Sequence, residues 1–159
     1  MKLQDEKKLK KIQRLLSAKE QTLAVAESVT TGLLQHAFGS TPCASEFFQG
    51  GITVYNAGQK YKHLQVEPIH ALACNCVSQK VADDMALHCI AMFRSDWGIG
   101  ITGYATPVTE SGNKVFAFFS IACRDKIMLQ KKLVTSLEDP FAIQFFYTSS
   151  VINQLIKLL

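Results

Sequence analysis

Hydrophobic and polar residues recur with helical spacing in three parts of the chain. In Leu3 to Ala18, the apolar residues recur at helical spacing among lysines, which predicts an amphipathic helix; they are Leu3, Leu9, Ile12, Leu15 and Leu16. The same spacing predicts a helix from Gln79 to Phe93, with Ser78 as its N-cap, and a last helix from about Phe141 to Leu158, after Pro140. The predicted inward-facing residues of these two later helices are Val81, Met85, Cys89, Met92, Phe93, Ile143, Phe146, Val151, Leu155 and Leu158.

Short apolar runs alternate with these helices and predict strands. Thr22 to Ala26, Phe47 to Tyr55 and Trp97 to Gly103 are rich in apolar or β-branched residues, as in buried strands. Lys114 to Cys123 and Lys126 to Val134 are separated by two polar residues, which favours an antiparallel hairpin. Strands that alternate with helices and end in a late hairpin predict a layered α/β domain with a mixed sheet.

The segments between the first strands carry shorter elements. Gly32 to Phe38 has a helical apolar face, and Gln59 to Leu64 is predicted to be a short helix with Lys60 in its first turn. Pro68 is expected to end that segment, with a loop continuing to Asn75. The 159 residues are 48% hydrophobic and 19% charged, so we expect one globular domain that spans residues 1–159.

The net charge of +4 does not indicate a nucleic-acid partner. Much of the excess comes from four lysines near the N-terminus, which we interpret as the solvated face of the first helix. A nucleic-acid interface would need a basic face interleaved with aromatic residues, and the sequence has none. The four lysines are Lys7, Lys8, Lys10 and Lys11.

The cysteines favour a reducing compartment and no metal. Five cysteines in mostly apolar surroundings are typical of free thiols in a cytoplasmic protein. Cys74 and Cys76 lie near His70 and His88 in sequence, but the paired Cys-x-x-Cys spacing of a zinc site is missing. No apolar run is long enough to span a membrane, and the N-terminus is too charged for a signal peptide, so we expect a cytoplasmic protein.

Ser28 is the first candidate for chemistry, because it ends a buried strand and begins a helix. Thr30 or Thr31 is expected to be the N-cap of that helix. The unpaired N–H groups of a helix start suit an oxyanion, a carboxylate or a phosphate. Ser28 is also consistent with a simple capping or turn residue.

Two further loops follow predicted strands and carry polar residues. Tyr55 with Lys60 follows the second strand, and Thr102 with Gly103 ends the third. Ligands of open α/β sheets bind beyond the carboxyl ends of the strands, so these loops are expected to share one crevice with Ser28. A lysine whose pKa is lowered by burial can deprotonate a serine, although Lys60 is equally consistent with an exposed surface residue.

Four sequence blocks, in order, resemble the CinA C-terminal domain family, the nicotinamide-nucleotide amidases. Ala26 to Gly32 resembles its Ala-Glu-Ser-Cys-Thr-Gly-Gly motif, and Gly50 to Lys60 resembles its Gly-Gly-x-x-x-Tyr-x-x-x-x-Lys block. Val77-Ser78 matches a Val-Ser of the family, and Thr102 to Pro107 resembles its Thr-Gly-Ile-Ala-Gly-Pro loop. Four ordered blocks are stronger support than any one motif.

The resemblance implies a three-layer α/β/α domain that deamidates nicotinamide mononucleotide to nicotinic acid mononucleotide and ammonia. It implies Ser28 as the nucleophile, Lys60 as its general base and Tyr55 as an aid to proton transfer. It implies no cofactor and no metal, a small-molecule nucleotide as substrate, no nucleic-acid or membrane partner, and self-association as plausible. The implied substrate-binding residues are Thr30, Thr31, Gly32, Gly50, Gly51, Thr102 and Gly103, with backbone N–H groups from Thr30 to Gly32 holding the oxyanion.

The chain departs from the family pattern where substrate is held. Val29, Thr31 and Thr106 replace a cysteine and two glycines, and Thr31 adds bulk where backbone is expected to approach substrate. Glu138 and Asp139 stand in the segment where the family carries arginines, the side chains that suit a phosphate. Two interpretations remain: an amidase, or a catalytically impaired homologue that binds a nucleotide or a protein partner.

Overall fold

The structure, a computed structural model, describes residues 6–159. The predicted helical position Leu3 lies outside the described residues. The described residues contain six α-helices and two short 3-10 helices, at Ala44–Glu46 and Thr109–Ser111. The α-helices are α1 (Glu6–Ala18), α2 (Leu33–Gly39), α3 (Ala57–Leu64), α4 (Pro68–Ala73), α5 (Gln79–Phe93) and α6 (Pro140–Leu158).

The strands of the same part of the chain form one mixed sheet. They are β1 (Leu23–Glu27), β2 (Phe48–Thr53), β3 (Trp97–Tyr104), β4 (Phe116–Cys123) and β5 (Lys126–Val134), in the order β2-β1-β3-β4-β5. β1 pairs in parallel with β2 and β3, while β4 is antiparallel to β3 and to β5. The predicted α/β class, mixed sheet and late hairpin are confirmed.

Helices cover both faces of the sheet, and the side chains of β1 alternate between them. Leu23 and Val25 belong to the larger core, shared with α1, α2 and α6. Ala24 and Ala26 belong to the smaller core, beneath α5. This alternation follows from the two-residue period of a strand, and it gives the three layers that the family resemblance implies.

Glycines let α5 lie directly on β3. A Cβ at Gly98 would collide with the backbone carbonyl of Ala86, and one at Gly100 with that of Ala82. The long helix predicted from Gln79 to Phe93 is confirmed, and the side chain of its N-cap, Ser78, accepts the N–H of Val81 at 3.2 Å.

Several local predictions are wrong for identifiable reasons. Pro68 does not begin a loop but is the first residue of α4, where its missing N–H costs nothing and the Glu67 carboxylate caps the helix. Met92 and Phe146, predicted to face inward, are 41% and 36% exposed. In α5 and α6 the buried residues recur every four positions, as in Met85 to Cys89 and Ile143 to Tyr147. Met92 and Phe146 lie three positions after a buried residue, at the side of the buried face.

The topology fixes where a ligand can enter. From β1 the chain passes through α2 to β2 on one side, and from β2 it passes through three helices to β3 on the other side of β1. The carboxyl end of β1 is therefore a switch point of the parallel part of the sheet, and ligands of open α/β sheets bind at such points. Ser28 is the first residue beyond that end.

Candidate active site

Ser28 lies in a tight turn that carries the chain from β1 into α2. Only 6% of the residue is exposed, and its carbonyl accepts the N–H of Thr31 at 3.3 Å. Thr31 and Gly32 have φ angles of 48° and 100°, in the left-handed region. Such a turn projects the serine at the edge of the sheet, where it lines a cleft of about 440 Å³.

The carboxylate of Glu27 holds this turn. Its Oε2 accepts the hydroxyl of Thr30 at 2.5 Å and the N–H groups of Gly32 and Leu34 at 3.1 Å. Its Oε1 accepts the N–H of Gln35 at 2.8 Å. The residue is fully buried, so its charge is balanced by these donors and by the positive end of α2.

Glu27 corrects the prediction of the helix N-cap. Neither Thr30 nor Thr31 caps α2. The N-cap position is Gly32, which has no side chain to accept the free N–H groups of the first turn. A carboxylate on the preceding strand takes the free N–H groups instead, because its two oxygens accept more donors than one threonine hydroxyl.

The same contacts change the expected oxyanion donors. The N–H of Gly32 is bonded to Glu27, and that of Thr31 to the Ser28 carbonyl, so neither is open to a ligand. Within residues 6–159, the N–H groups of Val29 and Thr30 take part in no hydrogen bond. Val29 lines the cleft directly after the serine, and its N–H is the better placed of the two.

Lys60 is buried against Ser28. The Nζ atom donates to Ser28 Oγ at 2.9 Å and to the carbonyl of Val54 at 2.9 Å, and 1% of the residue is exposed. The alternative of an exposed surface lysine is therefore wrong. Loss of water around the ammonium lowers the pKa of Lys60 to about 8, and the electrostatic interaction with the neighbouring Cys76 acts in the opposite direction.

The first turn of α3 positions this lysine. Asn56 caps the helix by accepting the N–H of Gln59 at 3.0 Å. Lys60 therefore lies about one helical turn beyond the cap. The lysine carbonyl also accepts the N–H of Val66 at 3.3 Å and that of Gln65, the left-handed residue that ends the helix. Both ends of the short helix are thus fixed.

The cleft contains half of the predicted site residues. Ser28, Tyr55, Lys60, Thr102 and Gly103 line it. The exposed Tyr55 ring lies at the rim, 71% exposed, and no hydrogen bond within the described residues joins it to Ser28 or Lys60. Its part in proton transfer stays a prediction. The Thr102 hydroxyl donates to the carbonyl of Cys76 at 2.7 Å, so it joins two walls of the cleft.

The other predicted residues lie outside the cleft lining. Thr30, Thr31 and Gly32 form the turn behind Ser28. Gly50 and Gly51 lie inside β2, and a Cβ at Gly51 would collide with the side chains of Val25 and Gln35. A Cβ at Gly50 would press on Phe93, so these glycines serve packing, and the structure does not bring them to the ligand cleft.

Sequence reasoning missed several residues of the cleft. Gln144 of α6 donates to the carbonyl of Val29 at 2.9 Å, although 115 positions separate them, and no local pattern signals such a contact. Tyr104, the last residue of β3, and Glu110, in the 3-10 helix of the following loop, also line the cleft. Their position at and after the end of a parallel strand was a usable signal. No group of three His, Cys, Asp or Glu residues within 6–159 is arranged to hold a metal ion.

No helix in the described part of the chain is both long enough and apolar enough to cross a membrane.

Replacing Thr31 by glycine is expected to stabilise the protein. A β-branched residue at a φ of 48° is strained by about 1–2 kcal/mol, and glycine removes that strain. Glycine also gives the unfolded chain more freedom and loses the contact of 3.4 Å from Gln144 Nε2 to Thr31 Oγ1, so the free energy of unfolding should rise by less than about 1 kcal/mol in denaturant titration. Because Thr31 does not line the cleft, any activity should change by less than about twofold. A large gain in activity would show instead that Thr31 obstructs substrate.

Comparison with known proteins identifies relatives of this chain. A CinA-like protein from a strain of Prochlorococcus marinus is 46% identical over 101 residues, which cover 63% of this chain and 24% of that protein. A putative competence-damage inducible protein from Moorella thermoacetica is 39% identical over 121 residues, covering 75% of this chain and 29% of that protein. The chain spans about a quarter of the length of these curated relatives.

Solved structures share the fold. The crystal structure of a competence-damaged protein (CinA) superfamily protein from Escherichia coli matches with a TM-score of 0.88 and 25% identity, covering 99% of this chain and 91% of that one. Competence damage-inducible protein A from Klebsiella pneumoniae matches with a TM-score of 0.90 and 22% identity, covering 96% and 94%. The family model described as the CinA C-terminal domain matches residues 5–159. The chain therefore belongs to the CinA C-terminal domain family.

Proposed function

We propose that this protein is an amidohydrolase that deamidates nicotinamide mononucleotide by serine acyl-enzyme chemistry. The observation that carries the proposal is the buried contact of 2.9 Å between Lys60 Nζ and Ser28 Oγ. A serine hydroxyl needs a base, and a lysine serves as one once its pKa approaches neutrality. The substrate itself comes from the family resemblance, since nicotinamide mononucleotide carries the primary carboxamide that such a dyad would hydrolyse.

In the first half of the reaction, Ser28 Oγ attacks the carboxamide carbon while its proton passes to the neutral amine of Lys60. The carbonyl oxygen gains the negative charge, which the N–H of Val29 is placed to stabilise. The C–N bond then breaks, and Lys60 returns the proton to the leaving nitrogen. Ammonia leaves, and an ester joins the nicotinoyl group to Ser28.

In the second half, water replaces ammonia. Lys60, neutral again, accepts a proton from the water that attacks the ester carbon, and the Ser28 oxygen leaves as the carboxylic acid forms. The proton returns from Lys60 to Ser28, so the enzyme is regenerated with no cofactor. The carbonyl of Val54 accepts from Lys60 Nζ and holds the amine in reach of the serine throughout.

A binding role without turnover is the second candidate. Lys60 is the only cationic side chain among the described residues that line the cleft, whereas a phosphate-bearing substrate favours arginine or lysine partners. In that case the chain would hold a nucleotide or a protein partner and hydrolyse nothing. Turnover measurements separate the two candidates.

Ammonia release from nicotinamide mononucleotide should depend on Ser28. Ser28→Ala removes the nucleophile and is expected to lower kcat by a factor of about 1,000 or more, measured by a coupled ammonia assay. Ser45→Ala, at an exposed serine away from the cleft, is the matched control and should retain full activity. Ammonia release that survives Ser28→Ala in a folded protein would refute the serine mechanism.

The pH profile should report Lys60. The base must be neutral, and its pKa of about 8 lies below the usual 10.5, so kcat/KM should rise about tenfold per pH unit up to about pH 8 and then level off. Lys60→Arg keeps the positive charge but cannot deprotonate, so it should be inactive at every pH. A flat profile from about pH 6 to about pH 9 would exclude Lys60 as the base.

A further inference from the structure

We propose that the cleft takes a pyridinium nucleoside carboxamide, the class represented by nicotinamide riboside, at least as well as the corresponding nucleotide with its phosphate. This inference rests on the proposed amidase chemistry and names a different part of the substrate: the group beyond the ribose. It follows from the charges of the cleft, from the helix ends around it and from its aromatic walls.

The charges of the cleft do not suit a phosphate dianion. Among the described lining residues, Lys60 and Glu110 have the only side chains that are formally charged near neutral pH. Lys60 is occupied by Ser28 and Val54, and it must be neutral to act as the base. Glu110 therefore dominates the electrostatics of the accessible walls, and a carboxylate repels a phosphate.

The helix starts beside the cleft already have acceptors. Glu27 takes the free N–H groups of α2, and Asn56 caps α3. At α6, Pro140 has no N–H, and Asp139 accepts the N–H of Ala142 at 2.7 Å. Each of these helix starts thus already holds a side-chain oxygen of the chain itself, and at α6 that oxygen belongs to a carboxylate beside the cleft-lining Pro140.

The walls instead suit a flat cation. The rings of Tyr55 and Tyr104 both line the cleft, together with Glu110. The Tyr104 ring is held in an edge-on contact by Phe116, with centroids 5.3 Å apart, and its hydroxyl accepts from Asn75 at 3.1 Å. Aromatic faces and a carboxylate attract a pyridinium ring, which is the cationic part that a nucleoside and a nucleotide of nicotinamide share.

The test compares nicotinamide riboside with nicotinamide mononucleotide. Wild-type kcat/KM for ammonia release should be at least as high for the nucleoside as for the nucleotide. Glu110→Gln removes both the attraction to the pyridinium and the repulsion of the phosphate, so the nucleotide-to-nucleoside ratio should rise roughly tenfold. Glu20→Gln, before the opposite end of β1, is the control with the same charge change and should leave the ratio unaltered.

Binding provides a readout that does not need turnover. Calorimetric titration of Ser28→Ala with each compound should give the nucleoside equal or higher affinity. A nucleotide preferred by more than about twofold in kcat/KM or in affinity, or binding of neither compound, would overturn the inference. If the wild type releases no ammonia from either compound, the proposed function fails, and the two affinities still decide the question of the phosphate.

Discussion

The buried carboxylate of Glu27 is the contact on which the site depends. It ends β1 at the switch point of the sheet and satisfies four donors of the following turn and helix. Without it, the start of α2 would leave buried N–H groups unpaired, at a cost of about 1–3 kcal/mol for each. The turn that presents Ser28 is thus fixed by the residue before the serine, and it leaves the N–H of Val29 free.

Lys60 gains reactivity at the expense of stability. Its pKa is about 8 in the folded protein against 10.5 for an ordinary lysine, so the unfolded chain binds the proton more tightly. The resulting destabilisation is about 3 kcal/mol below pH 8 and disappears as the pH rises through 10.5. A buried apolar residue would avoid that cost, but it would remove the amine that contacts Ser28 Oγ and that serves as the base in the proposed mechanism. The proposed amidase mechanism would explain why a lysine occupies this position.

The sequence predicted the elements but not their long-range contacts. The spacing of Val81, Met85 and Cys89 is a local property, and it located α5 correctly. The residues after the parallel strands also came together as expected, because the sheet brings its carboxyl ends to one edge. In contrast, Glu27 was overlooked since it lies in a strand and not at a helix start, and the contact of Gln144 with Val29 depends on how α6 packs.

The proposed mechanism requires that Ser28 form a covalent acyl intermediate with the help of Lys60. The most direct measurement is peptide mass spectrometry of protein quenched in acid during turnover of nicotinamide mononucleotide. An ester adduct of the deamidated nucleotide is expected on the peptide that contains Ser28, and it should be absent in Lys60→Arg. If acylation is faster than deacylation, the adduct must accumulate. Steady ammonia release under those conditions with Ser28 unmodified at every quench time would refute the acyl-enzyme mechanism.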